Sequence, residues 1–379
     1  MIKLEHVSKV YQDGTQAVDD VSFEVEEGAL CVLLGPSGCG KTTTMKMINR
    51  LIPITEGHIY IDGTDNTEMD QNELRRKMGY AIQEIGLFPH MTVGENIATV
   101  PTLEGWSSQE KKKRTKELLE LMGMKPEEFV NKYPSELSGG QRQRVGVARS
   151  LGADPPIMLM DEPFGAIDPI TRDRLQDEFL KIQSEIQKTI VFVTHDINEA
   201  IKMGDLVALL KDGELIQYST PAELLARPEN RFVRNFVGSD RTLKSLRLMK
   251  VEQAMKKSPR VVKEDDSLSS IEDLMVKEEI NYLLVVENRK KLKGWVNRED
   301  IEDADGETVE DVMVQETGCV GRGTSLAEAL TVMLERDVAN LPVVDDDGRL
   351  EGLLTFNDLQ GLIGETYTET GGKHPEVSK

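Results

Sequence analysis

The sequence predicts an α/β domain over residues 1–238 followed by a tandem α+β module. Three observations predict this. Short apolar runs alternate with amphipathic stretches through the first 238 residues, as expected of strands and helices packed in layers. One run, Leu30-Cys31-Val32-Leu33-Leu34, feeds straight into a glycine-rich turn and then a helical stretch. From residue 251 the chain matches itself at an offset of 58 residues. Two tandem copies of so small a unit pack on each other, because one alone buries little core.

The glycine-rich turn, Gly35-Pro36-Ser37-Gly38-Cys39-Gly40-Lys41-Thr42, fits GxxxxGK[ST] and precedes a helix beginning near Lys41. Its glycines let backbone N–H groups turn inward as a nest for phosphate oxygens, and the helix N-terminus adds partial positive charge. Lys41 is expected to reach β and γ phosphates, and the Thr42 hydroxyl suits Mg²⁺. Residues from about 90 to 150 read as mostly helical, with the basic run Lys111–Arg114 as a solvated face. In Leu137-Ser138-Gly139-Gly140-Gln141, a hydroxyl, exposed amides and a helix starting near Gln141 make a second anion site. The chain has no second phosphate loop for that site to serve.

Ile157-Met158-Leu159-Met160 reads as a buried strand that delivers Asp161 to Mg²⁺ through water and leaves Glu162 to polarise an attacking water. A second apolar strand, Thr189–Val193, precedes Thr194-His195-Asp196. Val207–Leu210 and the run after Asp212-Gly213 read as a hairpin. Residues 239–250 read as a charged connector. The repeat copies span 251–301 and 309–363, each reading helix, strand, strand and a short helix, and 364–379 reads as a flexible polar tail.

Composition narrows the function class. Net charge is −21 over 379 residues, which argues against non-specific nucleic-acid binding and against a polybasic membrane anchor. No apolar run approaches the length of a membrane span, and the N-terminus is too polar for a signal peptide. The 3 cysteines show no CxxC pairing, which suits a reducing cytoplasm.

The motifs taken together, in order, resemble the ATP-binding cassette (ABC) family over residues 1–238. The resemblance implies a P-loop, RecA-like nucleotide-binding domain with a helical subdomain at about 90–150. It places ATP on Gly35, Pro36, Ser37, Gly38, Cys39, Gly40, Lys41, Thr42 and Thr43, with Cys39 in a variable position. It implies Mg²⁺ at Thr42, Asp161 and Gln83, the last being the Q-loop hinge toward a membrane partner. Glu162 and His195 become the catalytic pair, and Tyr11 the ring that stacks on adenine. Ser138, Gly139, Gly140 and Gln141 become the signature that clamps the nucleotide of a second protomer. Gly165-Ala166-Ile167-Asp168 becomes the D-loop, with Ile167 where leucine is usual.

Within the family, Leu87-Phe88-Pro89-His90 and Lys132-Tyr133-Pro134-Ser135-Glu136 look like importer subunits. The repeats resemble tandem CBS domains, which often bind adenine nucleotides. In the second copy Gly352-Leu353-Leu354-Thr355-Phe356-Asn357-Asp358 fits the pattern in which Thr355 and Asp358 contact ligand. The first copy keeps Asp300 but has Asn297 for the threonine and Trp295 for Leu353. A cassette followed by CBS domains resembles the energy subunit of quaternary-amine importers for glycine betaine, choline or carnitine. The expected assembly is a homodimer peripheral to the cytoplasmic face of the membrane. It works with permease subunits and an extracytoplasmic binding protein, without nucleic acid. Cyclic di-AMP is the specific candidate among adenine nucleotides for the CBS pair. Alternatives are an importer for another small solute whose CBS pair only dimerises, a soluble ABC ATPase, and a CBS sensor whose cassette binds ATP without hydrolysis.

Overall fold

The computed structural model describes residues 1–81, 86–165, 167–287, 291–302, 306–315 and 318–368. Two compact units divide the chain, Met1–Gly238 and Ser239–Lys379.

The first unit is built on two sheets. A six-stranded sheet runs Glu214–Ser219, Leu206–Lys211, Leu30–Leu34, Thr189–Thr194, Ile157–Asp161, Met78–Ala81. Its central strands are parallel and buried on both faces, which accounts for their unbroken apolar runs. The edge hairpin turns at Asp212 and Gly213, both at positive φ, as the Asp-Gly pair predicts. An antiparallel sheet of Gln16–Val25, Ile2–Val10, Glu56–Ile61 and Thr64–Asp65 faces it. The helix Lys41–Ile48 buries Met45, Met47 and Ile48 in the core that both sheets share. Helices Val93–Ile97, Thr99–Leu103, Ser108–Leu121, Pro126–Phe129 and Gly139–Ser150 occupy the region expected to be helical. Among the described residues no helix is long and apolar enough to cross a membrane.

The second unit corrects the expected boundaries. Residues 239–250 are not a free connector: Arg241–Leu248 is a helix whose Leu246 is buried with Val251, Leu326, Ala329 and Met333. Each copy also has a short parallel strand missed in sequence, Val261–Val262 and Val320–Gly321, ahead of its antiparallel pair. The final helix, Phe356–Thr368, runs past the expected start of the tail at 364, and the rest of the tail lies outside the described residues.

The copies exchange their opening helices. Val251, Ala254 and Met255, which open the first copy, pack in the core of Leu326, Leu341, Val343 and Leu354 in the second. Val309, Val312 and Met313, which open the second, pack with Leu268, Ile271, Leu283 and Val285 of the first. Leu284, Val286 and Leu350 join the two sheets between them.

Candidate nucleotide site

The phosphate loop takes a path that only glycine permits at two points. Gly35 has φ +148°, and a Cβ there would stand 2.2 Å from the Leu210 carbonyl oxygen. Gly40 has φ +101°, and a Cβ there would stand 2.4 Å from the Ala17 carbonyl oxygen. Pro36, Ser37 and Gly38 form the open rim. The Cys39 side chain is buried inside the loop, and burial pushes its thiol pKa up, so it packs rather than reacts. No side chain caps the helix that follows, which leaves the amides of its first turn, at Lys41, Thr42 and Thr43, for a ligand.

Lys41 is buried, and its ammonium donates to the carbonyls of Gly35 at 2.7 Å and Pro36 at 2.8 Å. No carboxylate pairs with it among the described residues. Its remaining contact among them is the Cys39 Sγ at 3.9 Å; a buried cation held by carbonyls and a thiol is poorly compensated, and a phosphate entering the loop supplies the missing charge. Thr42 donates through Oγ1 to Asp161 Oδ1 at 3.0 Å, and burial raises the Asp161 carboxyl pKa. A hydroxyl beside a carboxylate is a hard-oxygen set of the kind Mg²⁺ takes, with water and phosphate oxygens completing the shell. The residues therefore fit the ion.

Asp161 and Val193 are register partners at the ends of neighbouring parallel strands, so the residues that follow them emerge side by side. Glu162 takes φ +43°, uncommon for a residue with a Cβ, and its N–H donates to the Val193 carbonyl at 3.0 Å. This turns its carboxylate toward His195, whose Nδ1 lies 3.1 Å from Glu162 Oε1. Tyr11 is exposed just beyond the first strand, with the Lys9 ammonium 5.3 Å from its ring centroid. Its turn leads into the strand whose Ala17 carbonyl abuts Gly40.

The signature lies elsewhere on the unit. Ser138 caps the helix Gly139–Ser150: its Oγ accepts from Gln141 N at 3.3 Å, and Gln141 Oε1 accepts from Ser138 N at 2.9 Å. Asp168 caps Pro169–Ile186 by accepting from Thr171 N at 3.0 Å, a bond that holds its carboxyl below the usual range. Both helix N-termini line one cleft of about 390 Å³ with Ser138, Gly139, Gly140, Gln141, Asp168 and Thr171. No residue of the phosphate loop lines it. Lys41, Thr42, Asp161, Glu162 and His195 are thus gathered in one place, and Ser138–Gln141 and Asp168 in another. Gln83 lies outside the described residues.

Comparison with known proteins decides the family. The ABC transporter family model matches residues 18–165, and the CBS domain model matches 251–307 and 309–365. A glycine betaine/carnitine/choline transport ATP-binding protein, OpuCA of Bacillus subtilis, is 48% identical over 366 residues, 96% of each chain. This chain belongs to the ABC transporter ATP-binding proteins. The choline transport ATP-binding protein OpuBA of the same organism is 47% identical over 382 residues, 100% of this chain and 99% of that one. The osmoprotectant import ATP-binding protein OsmV of Salmonella typhimurium is 44% identical over 374 residues, 97% of each. The dimeric bacterial ABC cassette MJ0796 matches with TM-score 0.53 and 38% identity, covering 58% of this chain and 99% of that chain. The same cassette is also known in a post-hydrolysis state bound to ADP and phosphate. The chain is thus an ABC ATPase with a CBS pair.

In the CBS module, two of the residues singled out in sequence, Thr355 and Asp358, are bonded to each other. Asp358 Oδ2 accepts from both the amide and the hydroxyl of Thr355, at 3.0 and 2.6 Å, and Asp358 Oδ1 lies 3.3 Å from Lys256 Nζ. Asp300 is exposed on the short helix Arg298–Glu302. A cleft of about 480 Å³ opens beside Tyr282, Trp295, Asn297, Arg336 and Asn340. The Tyr282 and Trp295 rings stack with centroids 5.5 Å apart. Trp295, a departure from the pattern in sequence, is part of this platform. The signal available in sequence was the aromatic pair itself, at diagonal positions of an antiparallel ladder in which Tyr282 pairs with Asn297 and Trp295 with Leu284.

Proposed function

We propose that this chain is the ATP-hydrolysing subunit of an importer for quaternary-amine osmoprotectants such as glycine betaine, choline or carnitine. It works as a homodimer at the cytoplasmic face of the membrane, with a separate permease and an extracytoplasmic binding protein. The observation that carries this reading is full-length likeness: relatives named for those solutes align across cassette and CBS pair alike. The dimer is supported by the Ser138 cleft, which lacks a phosphate loop of its own, and by Ile170, 86% exposed on the helix turn that forms the cleft's edge.

In this reading Lys41 exchanges its loop carbonyls for the β and γ phosphates of ATP. Thr42, Asp161 and Gln83 would hold Mg²⁺, which supplies charge neutralisation at those phosphates when bound. Glu162 orients the attacking water and accepts its proton, and His195 steadies that carboxylate and the γ phosphate. Tyr11 stacks on adenine. Ser138, Gly139, Gly140 and Gln141 close on the γ phosphate of the other protomer, and Asp168 sits at the same seam. The CBS pair regulates transport through an adenine nucleotide, with cyclic di-AMP the specific candidate. The stacked Tyr282–Trp295 platform with Arg336 suits a base and a phosphate.

Uptake of labelled glycine betaine, choline and carnitine into vesicles holding the permease, its binding protein and this chain tests the reading. ATP-dependent accumulation of at least one is expected. Transport of some other solute, with none of these three accumulated, overturns the substrate class.

A further inference from the structure

Behind His195 lies a partly buried polar chain that reaches from one functional loop to another. Arg172, on the first turns of the helix Pro169–Ile186, donates through Nη2 to the Ile167 carbonyl at 2.9 Å. Its Nη1 lies 3.9 Å from Asp196 Oδ2 and its Nε 4.0 Å from Glu199 Oε1. Glu199 is 5% exposed. It accepts from Thr194 Oγ1 at 2.6 Å and from Gln176 Nε2 at 3.1 Å. Thr194 Oγ1 in turn accepts from Asp196 N at 3.0 Å, closing a turn around His195. One end of the chain therefore holds the backbone beside Asp168, and the other holds the turn that presents His195 to Glu162.

The middle of the chain is slack. Arg172 Nε is buried and has no hydrogen-bond partner among the described residues. Buried guanidinium N–H groups are ordinarily bonded, and a carboxylate stands at 4.0 Å, just beyond bonding reach. A small shift of Ile167 toward or away from the cleft changes that gap directly, because the same guanidinium is fastened to its carbonyl.

We infer that Arg172 and Glu199 are positioning residues that tie the Ile167–Asp168 loop to the turn carrying His195. Seating of that loop, by the partner protomer, draws Arg172 onto Glu199 and sets His195 and Glu162 for hydrolysis. Neither residue touches the nucleotide, so ATP binding does not depend on them. The inference rests on the catalytic reading of Glu162 and His195.

The test uses the assembled transporter with Arg172→Ala, Arg172→Lys, Glu199→Gln and the Arg172→Ala/Glu199→Gln double variant, and Glu162→Gln as a parallel control. Glu199→Gln keeps the volume and an acceptor for Thr194, so folding is preserved. Misplacing a catalytic group by a fraction of an ångström costs on the order of 10- to 100-fold in rate. The expected result is a fall in kcat of about that size in Arg172→Ala and Glu199→Gln, with KM for ATP within about twofold of the parent. Arg172→Lys recovers part of the rate. The double variant is no slower than the worse single one, as expected of two residues acting as a unit. Unchanged kcat in both single variants overturns the inference. So do losses that multiply in the double variant, or losses that track a lowered melting temperature. An active Glu162→Gln control overturns the catalytic reading instead, and so separates the two failures.

Discussion

Glu162 shows how one backbone conformation places a reactive group. Its left-handed φ aims the carboxylate at His195 rather than along the strand. Glu162→Gln is expected to bind ATP normally, accumulate as the closed dimer and lose on the order of 100-fold or more in hydrolysis; single-turnover phosphate release in the assembled transporter checks this. Ser138 carries two duties, since its hydroxyl caps a helix as well as facing the cleft. Ser138→Arg is therefore expected to cost about 1 kcal/mol of stability from the lost cap, visible in the melting curve, and to abolish hydrolysis while leaving monomer ATP binding intact. Mixing it with Lys41→Ala gathers both lesions into one composite site and leaves the other whole, so partial recovery of hydrolysis is expected; no recovery, with one ATP still held per dimer, counts against the trans arrangement. Glu199 gives a pH signature. Burial raises its carboxyl pKa, with Asp196 adding to the rise and Thr194, Arg172 and His195 opposing it. Because the folded form holds this proton more tightly than the unfolded chain, its contribution favours folding below the unfolded value of about 4.3 and is lost as pH rises through the folded pKa. Glu199→Gln should thus melt at or above the parent temperature at pH 7–8, with that relative advantage shrinking as pH falls; thermal melts from pH 4 to 8 read the trend.

Elements were legible where local chemistry matched the tertiary outcome. The Asp212-Gly213 hairpin, the strands ending at Leu34 and Asp161 and the helix capped by Ser138 all announce themselves, because turn residues, apolar runs and caps act within a few positions. The helix Arg241–Leu248 did not, since one buried face among charged residues looks like a connector until Leu246 finds its core. Nor could the repeat itself reveal that Val251 serves the second copy and Val309 the first, because both pairings satisfy the same self-match. In the nucleotide site the motifs were readable, but the Arg172–Glu199 chain was not: its members lie on two helices with no spacing rule between them. The aromatic cleft of the CBS unit was not legible for a related reason, as Tyr282 and Trp295 meet only through strand register. The exchange of helices is testable at this scale. Val251→Ala and Val309→Ala each remove methyl groups from a fully buried side chain and should cost about 2 kcal/mol. Hydrogen exchange should show Val251→Ala loosening residues 320–355 and Val309→Ala loosening residues 262–297, each the copy to which the mutated residue does not belong in sequence.

At the scale of the whole molecule, every group assigned to hydrolysis lies before residue 239, while the CBS unit begins with the Arg241–Leu248 helix. A truncation meant to remove regulation therefore belongs after Gly238, since a cut at 251 strands Leu246 without its core. The chain ending at Gly238 is expected to hydrolyse ATP and support transport but to lose its response to osmotic conditions or to a nucleotide. Calorimetric titration of the intact protein with ATP, AMP and cyclic di-AMP, before and after Trp295→Ala, shows whether the response has a ligand in the aromatic cleft; regulation unchanged by the truncation removes the CBS pair from that role. The crossed opening helices also bear on descent. A gene that lost either copy would leave both halves with an incomplete core, so the pair can be inherited, fused to a new enzyme or discarded only as a whole. A duplicated unit that began as two equal parts has become, through opening helices of 4 residues traded between the copies, a single heritable object.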